Sequence, residues 1–255
     1  MRRLFYATQE KLYRNPVQAS GGKLGGSEWN DAFLYAGYYQ IVWLDLADVF
    51  AAYVNDGDVD ALEAAYLDAS GYGDDNGYAV YNGVQCTDTP WPTSWFRWAF
   101  DNWRTYVKAP YVTWGNAWYN YPCVTWPATA DRPVRIDGRK TASLLMINET
   151  LDAATPYSGS LRVRQLYPKA SLIAEPGGTT HSGSLYGNAC VDDQIADYLL
   201  DGTLPARVKG NRADATCEPL PEPEPEPAVS ARLAPQATPA PGITRQDLTL
   251  GAPVR

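Results

Sequence analysis

Residues 142–178 read Ala-Ser-Leu-Leu-Met-Ile-Asn-Glu-Thr-Leu-Asp-Ala-Ala-Thr-Pro-Tyr-Ser-Gly-Ser-Leu-Arg-Val-Arg-Gln-Leu-Tyr-Pro-Lys-Ala-Ser-Leu-Ile-Ala-Glu-Pro-Gly-Gly, and this stretch decides the fold. Ala142 to Asn148 is a short continuous apolar run, as expected of a strand buried on both faces. Thr155-Pro156 supplies an N-cap and a first-turn proline for a helix through Tyr167. Ser171 to Glu175 is a second buried strand, stopped by Pro176-Gly177-Gly178. Beyond it, Asn188 to Leu200 reads as a last helix, with Asp192 and Asp193 in its first turn and Gly202 at its stop. Strand, helix, strand, helix with short connections is the signature of a parallel α/β sheet.

The residues before Trp126-Pro127 have a different character: helical, with loops, and rich in aromatics. From Trp29 to Val54, residues Trp29, Phe33, Ile41, Leu44, Val49, Phe50 and Tyr53 recur at helical spacing. Gly21, Gly22, Gly25 and Gly26 predict a flexible entry to that helix, and Asn55 with Gly57 its end. Asp58 to Ala69 is a second helical candidate, with Leu62, Tyr66 and Leu67 on one side, followed by a loop from Gly71 to Gly77. Ser94 can cap a helix whose Trp95, Trp98, Ala99, Trp103 and Tyr106 form an apolar stripe, with Pro110 ending it. At the other end, nine of the twenty prolines follow residue 218, including the Pro-Glu alternation from Pro221 to Pro227. That composition predicts an extended, unpacked tail. The organisation expected is a helical cap over 1–130, an α/β segment over 131–218 and a proline-rich tail over 219–255.

Composition limits the function. With 255 residues, 45% hydrophobic and 20% charged, a sizeable core is available and wholesale disorder is excluded. A net charge of -8 and a pI near 4.7 repel phosphate backbones, which argues against nucleic-acid partners. No apolar run is long enough for a transmembrane helix, and the start, Met1-Arg-Arg-Leu-Phe-Tyr, carries no apolar segment of a secretory signal. There is one histidine, and neither CxxC nor HExxH occurs, so neither a metal nor a cofactor is expected. Cys86, Cys123, Cys190 and Cys217 are an even number, widely spaced and outside any redox motif. Two structural disulfides in an oxidising compartment are the preferred reading, and buried thiols the alternative. Nine Trp and 18 Tyr against 5 Phe suit surfaces that are apolar on one side and wet on the other.

The sole histidine, His181, follows the second strand in Glu-Pro-Gly-Gly-Thr-Thr-His-Ser-Gly-Ser, and Asp152 holds the equivalent place after the first. Loops at the C-terminal ends of parallel strands collect ligands and catalytic groups. Two adjacent strands would set these loops side by side, letting Asp152 orient the imidazole while its other nitrogen acts as general base. A loop histidine and a turn aspartate with no joint role are the competing reading, and position alone does not choose between them.

The runs Leu-Leu-Met-Ile-Asn-Glu-Thr-Leu-Asp-Ala-Ala-Thr-Pro-Tyr, Gly-Gly-Thr-Thr-His-Ser-Gly and Gly-Asn-Ala-Cys-Val-Asp-Asp-Gln-Ile-Ala-Asp-Tyr-Leu together resemble the C-terminal region of secreted actinobacterial α/β-hydrolases, the tripeptidyl-aminopeptidase-like serine peptidases. The likeness covers roughly residues 30 to 217. It implies that Asp152 and His181 are the acid and base of a catalytic triad and that Cys190 is the family cysteine after the histidine loop. Tyr81-Asn-Gly-Val-Gln-Cys-Thr-Asp88 and Asn120-Tyr-Pro-Cys-Val-Thr-Trp-Pro127 resemble the family's cap, so the disulfides implied are Cys86–Cys123 and Cys190–Cys217. The family cap roofs the active site. Trp91, Trp95, Trp98, Trp103, Trp114, Trp118 and Trp126 divide between its core and its pocket lining, with Asp88 and Glu28 as candidates to hold a substrate amine.

One departure matters most. The family nucleophile is a serine in G-x-S-x-G on a strand-to-helix turn before the cap, and no G-x-S-x-G occurs in this sequence. Gly159-Ser160 and Gly183-Ser184 lie in the wrong order for this fold, and the oxyanion segment is missing too. An Asp–His pair alone cannot perform acyl transfer. Two parallel strands also leave edges and faces uncovered. The chain is therefore expected to be the C-terminal portion of a longer secreted enzyme, through a truncated gene, a frameshift or a late start. The activity implied is release of short peptides from free N-termini, with an esterase of the same fold or a non-catalytic peptide-binding module as alternatives.

Overall fold

The computed structural model describes residues 1–70, 75–128, 130 and 134–225. These form two compact units: Met1–Leu34 with Asp45–Val134, and Tyr35–Leu44 with residues 135–225.

The first unit is helical. Helix α1 (Arg2–Arg14) leads into a hairpin of β1 (Val17–Ala19) and β2 (Gly22–Leu24), paired Val17↔Leu24 and Ala19↔Gly22. The glycines expected to be a flexible entry are thus ordered. Gly22 takes a φ of 146, open to glycine alone, and the Glu63 carboxylate accepts from Gly21 N at 2.6 Å and Ser20 Oγ at 2.7 Å. Helix α2 (Gly26–Ala32) follows, and Trp29 on it is wholly buried. Around its indole lie the rings of Phe33, Phe5, Tyr53 and Phe50, with centroids 4.8 to 5.7 Å away.

The single helix expected from Trp29 to Val54 is broken into pieces. After α2 come 3-10 turns at Leu34–Gly37 and Gln40–Val42, then α3 (Trp43–Ala51) and a π-helical turn, Ala52–Asp56, closed by Gly57 at φ 72. Gly37 and three tyrosines carry little helix propensity, and tertiary partners claim this backbone instead: Trp43 Nε1 donates to Ala36 O at 2.8 Å. Helix α4 (Val59–Ser70) matches the second candidate. Of the loop expected from Gly71 to Gly77, residues 71–74 lie outside the described residues, while Gly77 sits inside helix α5 (Asp75–Asp88). The disulfide Cys86–Cys123 joins α5 to the turn Tyr121–Val124, which follows α6 (Trp95–Tyr106) and α7 (Thr113–Asn120). Ser94 occupies the cap position of α6 without a side-chain bond. In the expected stripe on α6 only Trp98 is buried, against Ala117 and Val124. Trp95 and Trp103 remain about half exposed, their rings on Trp118 and Trp114.

The second unit holds the parallel sheet, in the order β3-β4-β5. Strand β3 (Leu144–Glu149) pairs in register with β4 (Ala170–Glu175), from Leu144↔Ala170 to Glu149↔Glu175. Helix α8 (Tyr157–Leu166) crosses between them, and α9 (Ala189–Asp201) follows, starting at Asn188 and stopping at Gly202 with φ 79. Every residue of β4 is buried, but Leu144 to Ile147 on β3 are only partly so, because β3 lies at the sheet edge among the described residues. The expectation of two strands each buried on both faces is corrected accordingly. A third strand, β5 (Ala215–Thr216), pairs parallel to β4 through Ile173↔Ala215 and Ala174↔Thr216. Two residues give no periodicity to read. What holds β5 is on its flanks, where Cys217 is bonded to Cys190 on α9 and Asp214 meets the buried Arg164 of α8. Arg164 Nε donates to Asp214 at 2.7 Å and its Nη atoms to Gly210 O and Val208 O. Asp214 also accepts from the main chain of Leu172 and Val208.

A buried ion pair of this kind is costly to break from one side. Arg164→Leu, which leaves Asp214 uncompensated, is expected to lower stability by about 3–5 kcal/mol. Arg164→Leu with Asp214→Leu is expected to cost less than the sum of the two single changes. Urea unfolding of the single and double variants measures both.

Candidate active site

The two loops leaving β3 and β4 start level, because Glu149 and Glu175 are register partners. Asp152, three residues beyond β3, and His181, six beyond β4, are both buried, at 6% and 9% exposed. His181 Nδ1 lies 3.0 Å from Asp152 Oδ2 and 3.2 Å from Oδ1. The loops therefore bring the two sequence-predicted residues together across 29 positions of chain.

Asp152 is fixed from its own side by the turn it starts. Its Oδ1 accepts from Ala154 N and Thr155 N, each at 2.8 Å, and its Oδ2 from Thr155 Oγ1 at 2.7 Å. Thr155, expected to cap α8, spends its hydroxyl on Asp152, and Pro156 takes the cap position instead. Asn148 Nδ2 ties the turn back to β3 by donating to Thr155 O at 3.2 Å. Burial pushes the Asp152 carboxyl up, but the donors Thr155 N, Thr155 Oγ1, His181 and Ala154 N outweigh it and hold it below the usual carboxylate range.

An ionised carboxylate can only accept, so His181 Nδ1 carries the proton between them. Nε2 has no hydrogen-bond partner among the described residues. The ring orientation is set elsewhere as well. His181 N donates to Tyr38 O at 2.6 Å, and the Tyr38 ring meets the imidazole edge-on at 5.6 Å. Ser182, the next residue, sits in the left-handed region at φ 59, a local cost the surrounding bonds must outweigh. Tyr39 is 1% exposed, and burial, with Tyr186, Tyr35, Tyr38 and Asp152 adding to it, pushes its hydroxyl up to about 12.

Sequence reasoning missed Tyr38, because it folded the segment Tyr35–Leu44 into one long helix. The glycine at 37 within a tyrosine-rich run was the available signal. Of the amine-anchor candidates, Glu28 is engaged by Gly25 N at 2.8 Å at the start of α2, and Asp88 is exposed at the end of α5. Both disulfides implied by the resemblance are present, Cys86–Cys123 and Cys190–Cys217. Among the described residues, no group of His, Cys, Asp and Glu is placed to hold a metal ion, and no helix is long and apolar enough to cross a membrane.

Residues 109–232 match the family model of the TAP-like proteins. This part of the chain belongs to that family, and the parallel strands with their helices are the C-terminal part of an α/β-hydrolase. The chain is 38% identical over 205 residues to the tripeptidyl aminopeptidases of Streptomyces lividans and Streptomyces coelicolor, covering 78% of its own length and 37% of theirs. It is 35% identical over 135 residues to carboxylesterase B of Mycobacterium tuberculosis, covering 51% of its own length and 25% of that protein. The chain thus spans little more than a third of the length of these tripeptidyl aminopeptidases. No solved structure matches.

Because the folded Asp152 pKa is depressed, the stability it contributes is present above the unfolded carboxylate range and lost as pH falls through the folded value. Thr155→Val removes one of its donors. The variant is expected to lose about 1–2 kcal/mol at neutral pH, with the loss shrinking as pH drops below about 4. Urea midpoints across that range measure it.

Proposed function

We propose that this chain is the acid-and-base-bearing, C-terminal portion of a secreted Ser-His-Asp hydrolase, an exopeptidase that releases short peptides from free peptide N-termini. The observation that carries this reading is the imidazole clamped at 3.0 Å by an ionised carboxylate with its Nε2 unengaged. That is the geometry a general base needs. The likeness to two tripeptidyl aminopeptidases supports the substrate class, and two disulfides suit an extracellular location.

In this mechanism His181 Nε2 takes the proton of a serine hydroxyl as the oxygen attacks the scissile carbonyl. Asp152 stabilises the imidazolium so formed, and Nε2 then protonates the leaving amine. Water repeats the sequence on the acyl-enzyme. No G-x-S-x-G occurs in the 255 residues, so the nucleophile and the oxyanion donors come from outside them. Ester cleavage uses the same machinery, and the likeness to a carboxylesterase favours it as the second reading.

The test uses the protein as its own cells produce it. Peptides with a free N-terminus are expected to be hydrolysed, and their N-acetylated counterparts and simple acyl esters poorly. His181→Ala and Asp152→Asn are expected to lower kcat by about 10⁴-fold. Variants that keep full activity would overturn the roles, and preference for esters would select the second reading.

A further inference from the structure

Two further carboxyls are buried on the same rim, and the triad chemistry uses neither. Glu149 ends β3 and Glu175 ends β4; they are register partners, 7% and 1% exposed, and neither forms an ion pair among the described residues. Glu149 Oε2 accepts from the N–H of Thr180, the residue before His181, at 2.6 Å. On both sides of that bond the main chain closes on the same carboxyl. Gly178 packs so tightly against Oε2 that a Cβ has no room, and a Cβ on Gly183 would stand 2.7 Å from Oε1. The loop that carries the imidazole is wound around the Glu149 carboxyl as around a post.

Glu175 stands behind it. Its Oε2 accepts from Asn188 Nδ2 at 2.8 Å, at the start of α9. Its Oε1 is buried without a hydrogen-bond partner among the described residues and lies 3.7 Å from where a Gly183 Cβ would be. The Oε1 atoms of both glutamates thus face the same side of Gly183.

We propose that Glu149 is a positioning residue for His181: its carboxyl, backed by Glu175, sets where the Gly178–Gly183 loop presents the imidazole to Asp152. The inference rests on His181 being the general base of the proposed hydrolase. Glu149 touches no reacting atom, and it acts through the loop. The post is also titratable. Burial foremost raises the Glu149 carboxyl to about 7, the bond from Thr180 opposing and the charges of Glu175 and Asp152 adding. Glu175 is raised too, by burial first and by Asp192, against the bond from Asn188. The other charged and titratable groups around the pair are Asp152 after β3, Asp192 on α9, Glu218 after β5, whose carbonyl shares Asn188 Nδ2, and His181 itself.

A carboxyl whose folded pKa is raised stabilises the fold most below its unfolded pKa, and that stability drains away as pH rises towards the folded value. For Glu149 the window runs from the ordinary carboxylate range up to about 7. Above it, the Glu149 carboxyl is a buried negative charge under the loop, beside Glu175.

NMR of the full 255-residue chain from about pH 5 to about pH 9 tests this, and His181, as the sole histidine, gives unambiguous ring signals. The Thr180 amide proton is expected to follow an inflection near the Glu149 value. Glu149→Gln is expected to abolish that inflection and to shift the His181 ring signals while amides on α6 stay in place. Glu175→Gln is expected to move the inflection to lower pH. A Thr180 amide indifferent to pH, or His181 ring signals unchanged in Glu149→Gln, would overturn the proposal. Should Glu149→Gln not fold, an inflection left unmoved by Glu175→Gln overturns it as well. Failure of the hydrolase reading shows separately, as native activity that survives His181→Ala while these spectra behave as expected.

Discussion

The in-register pairing of β3 with β4 is the constraint on which the site depends. Because Glu149 and Glu175 face each other, the strands end level and their loops leave from one rim. A separation of 29 residues becomes a 3.0 Å contact between Asp152 and His181. Side chains alternate faces along a strand, so a slip of one residue would send Glu149 to the opposite face and remove the partner of Thr180 N. The register is fixed by the crossover helix α8 and reinforced from the far side. There the flanks of β5 are tied to α8 by the Arg164–Asp214 pair, to α9 by the Cys190–Cys217 disulfide and to β4 by the bond from Leu172 N to Asp214. A two-residue strand could not do this through its own ladder.

Three carboxyls crowd this rim, and their surroundings separate them into two kinds. Asp152 receives three hydrogen bonds from its own turn and one from His181, and remains ionised. Glu149 receives one main-chain bond and Glu175 one amide bond, too few to offset burial, and both are pushed towards the protonated form. Carboxyls made distinct by donor count can take distinct tasks within one site. The ionised one orients the imidazole; the two whose carboxyls are pushed up can sit under a loop without a cation.

How much was legible in the sequence follows the range of each interaction. The apolar runs ending at Asn148 and Glu175 mark strands because burial writes itself into local composition. Gly202 marks the end of α9 because a left-handed stop needs no distant partner. The Asp152–His181 contact could be expected once both residues were placed after parallel strands. Thr155 was misassigned because a cap hydroxyl and an acceptor-seeking hydroxyl look alike until Asp152 is placed beside it. Tyr35–Leu44 was misread because its helical spacing is real, while its backbone bonds go to partners such as His181 N, far along the chain. Strand β5 exists only through pairing, and so left no trace. The burial of Glu149 and Glu175 was equally silent, since a glutamate at a strand end ordinarily reads as the point where the chain meets water.

The adjacent glycines 177 and 178 show how such silence can be misread. A Gly-Gly pair after a strand suggests a turn that needs conformational freedom twice. Only Gly177 has the positive φ, 84, that favours glycine. Gly178 is favoured for a different reason: the Glu149 carboxyl occupies the space a Cβ would take and would have to shift for one. Gly183 repeats the second case on the far side of His181, against the same carboxyl. Between them the backbone at Ser182 adopts a conformation costly for a residue with a side chain. Its cost is bearable because the loop is tied at Thr180 N to Glu149 and at His181 N to Tyr38. The small residues of the histidine loop thus record the shape of the buried acid against which the loop is packed.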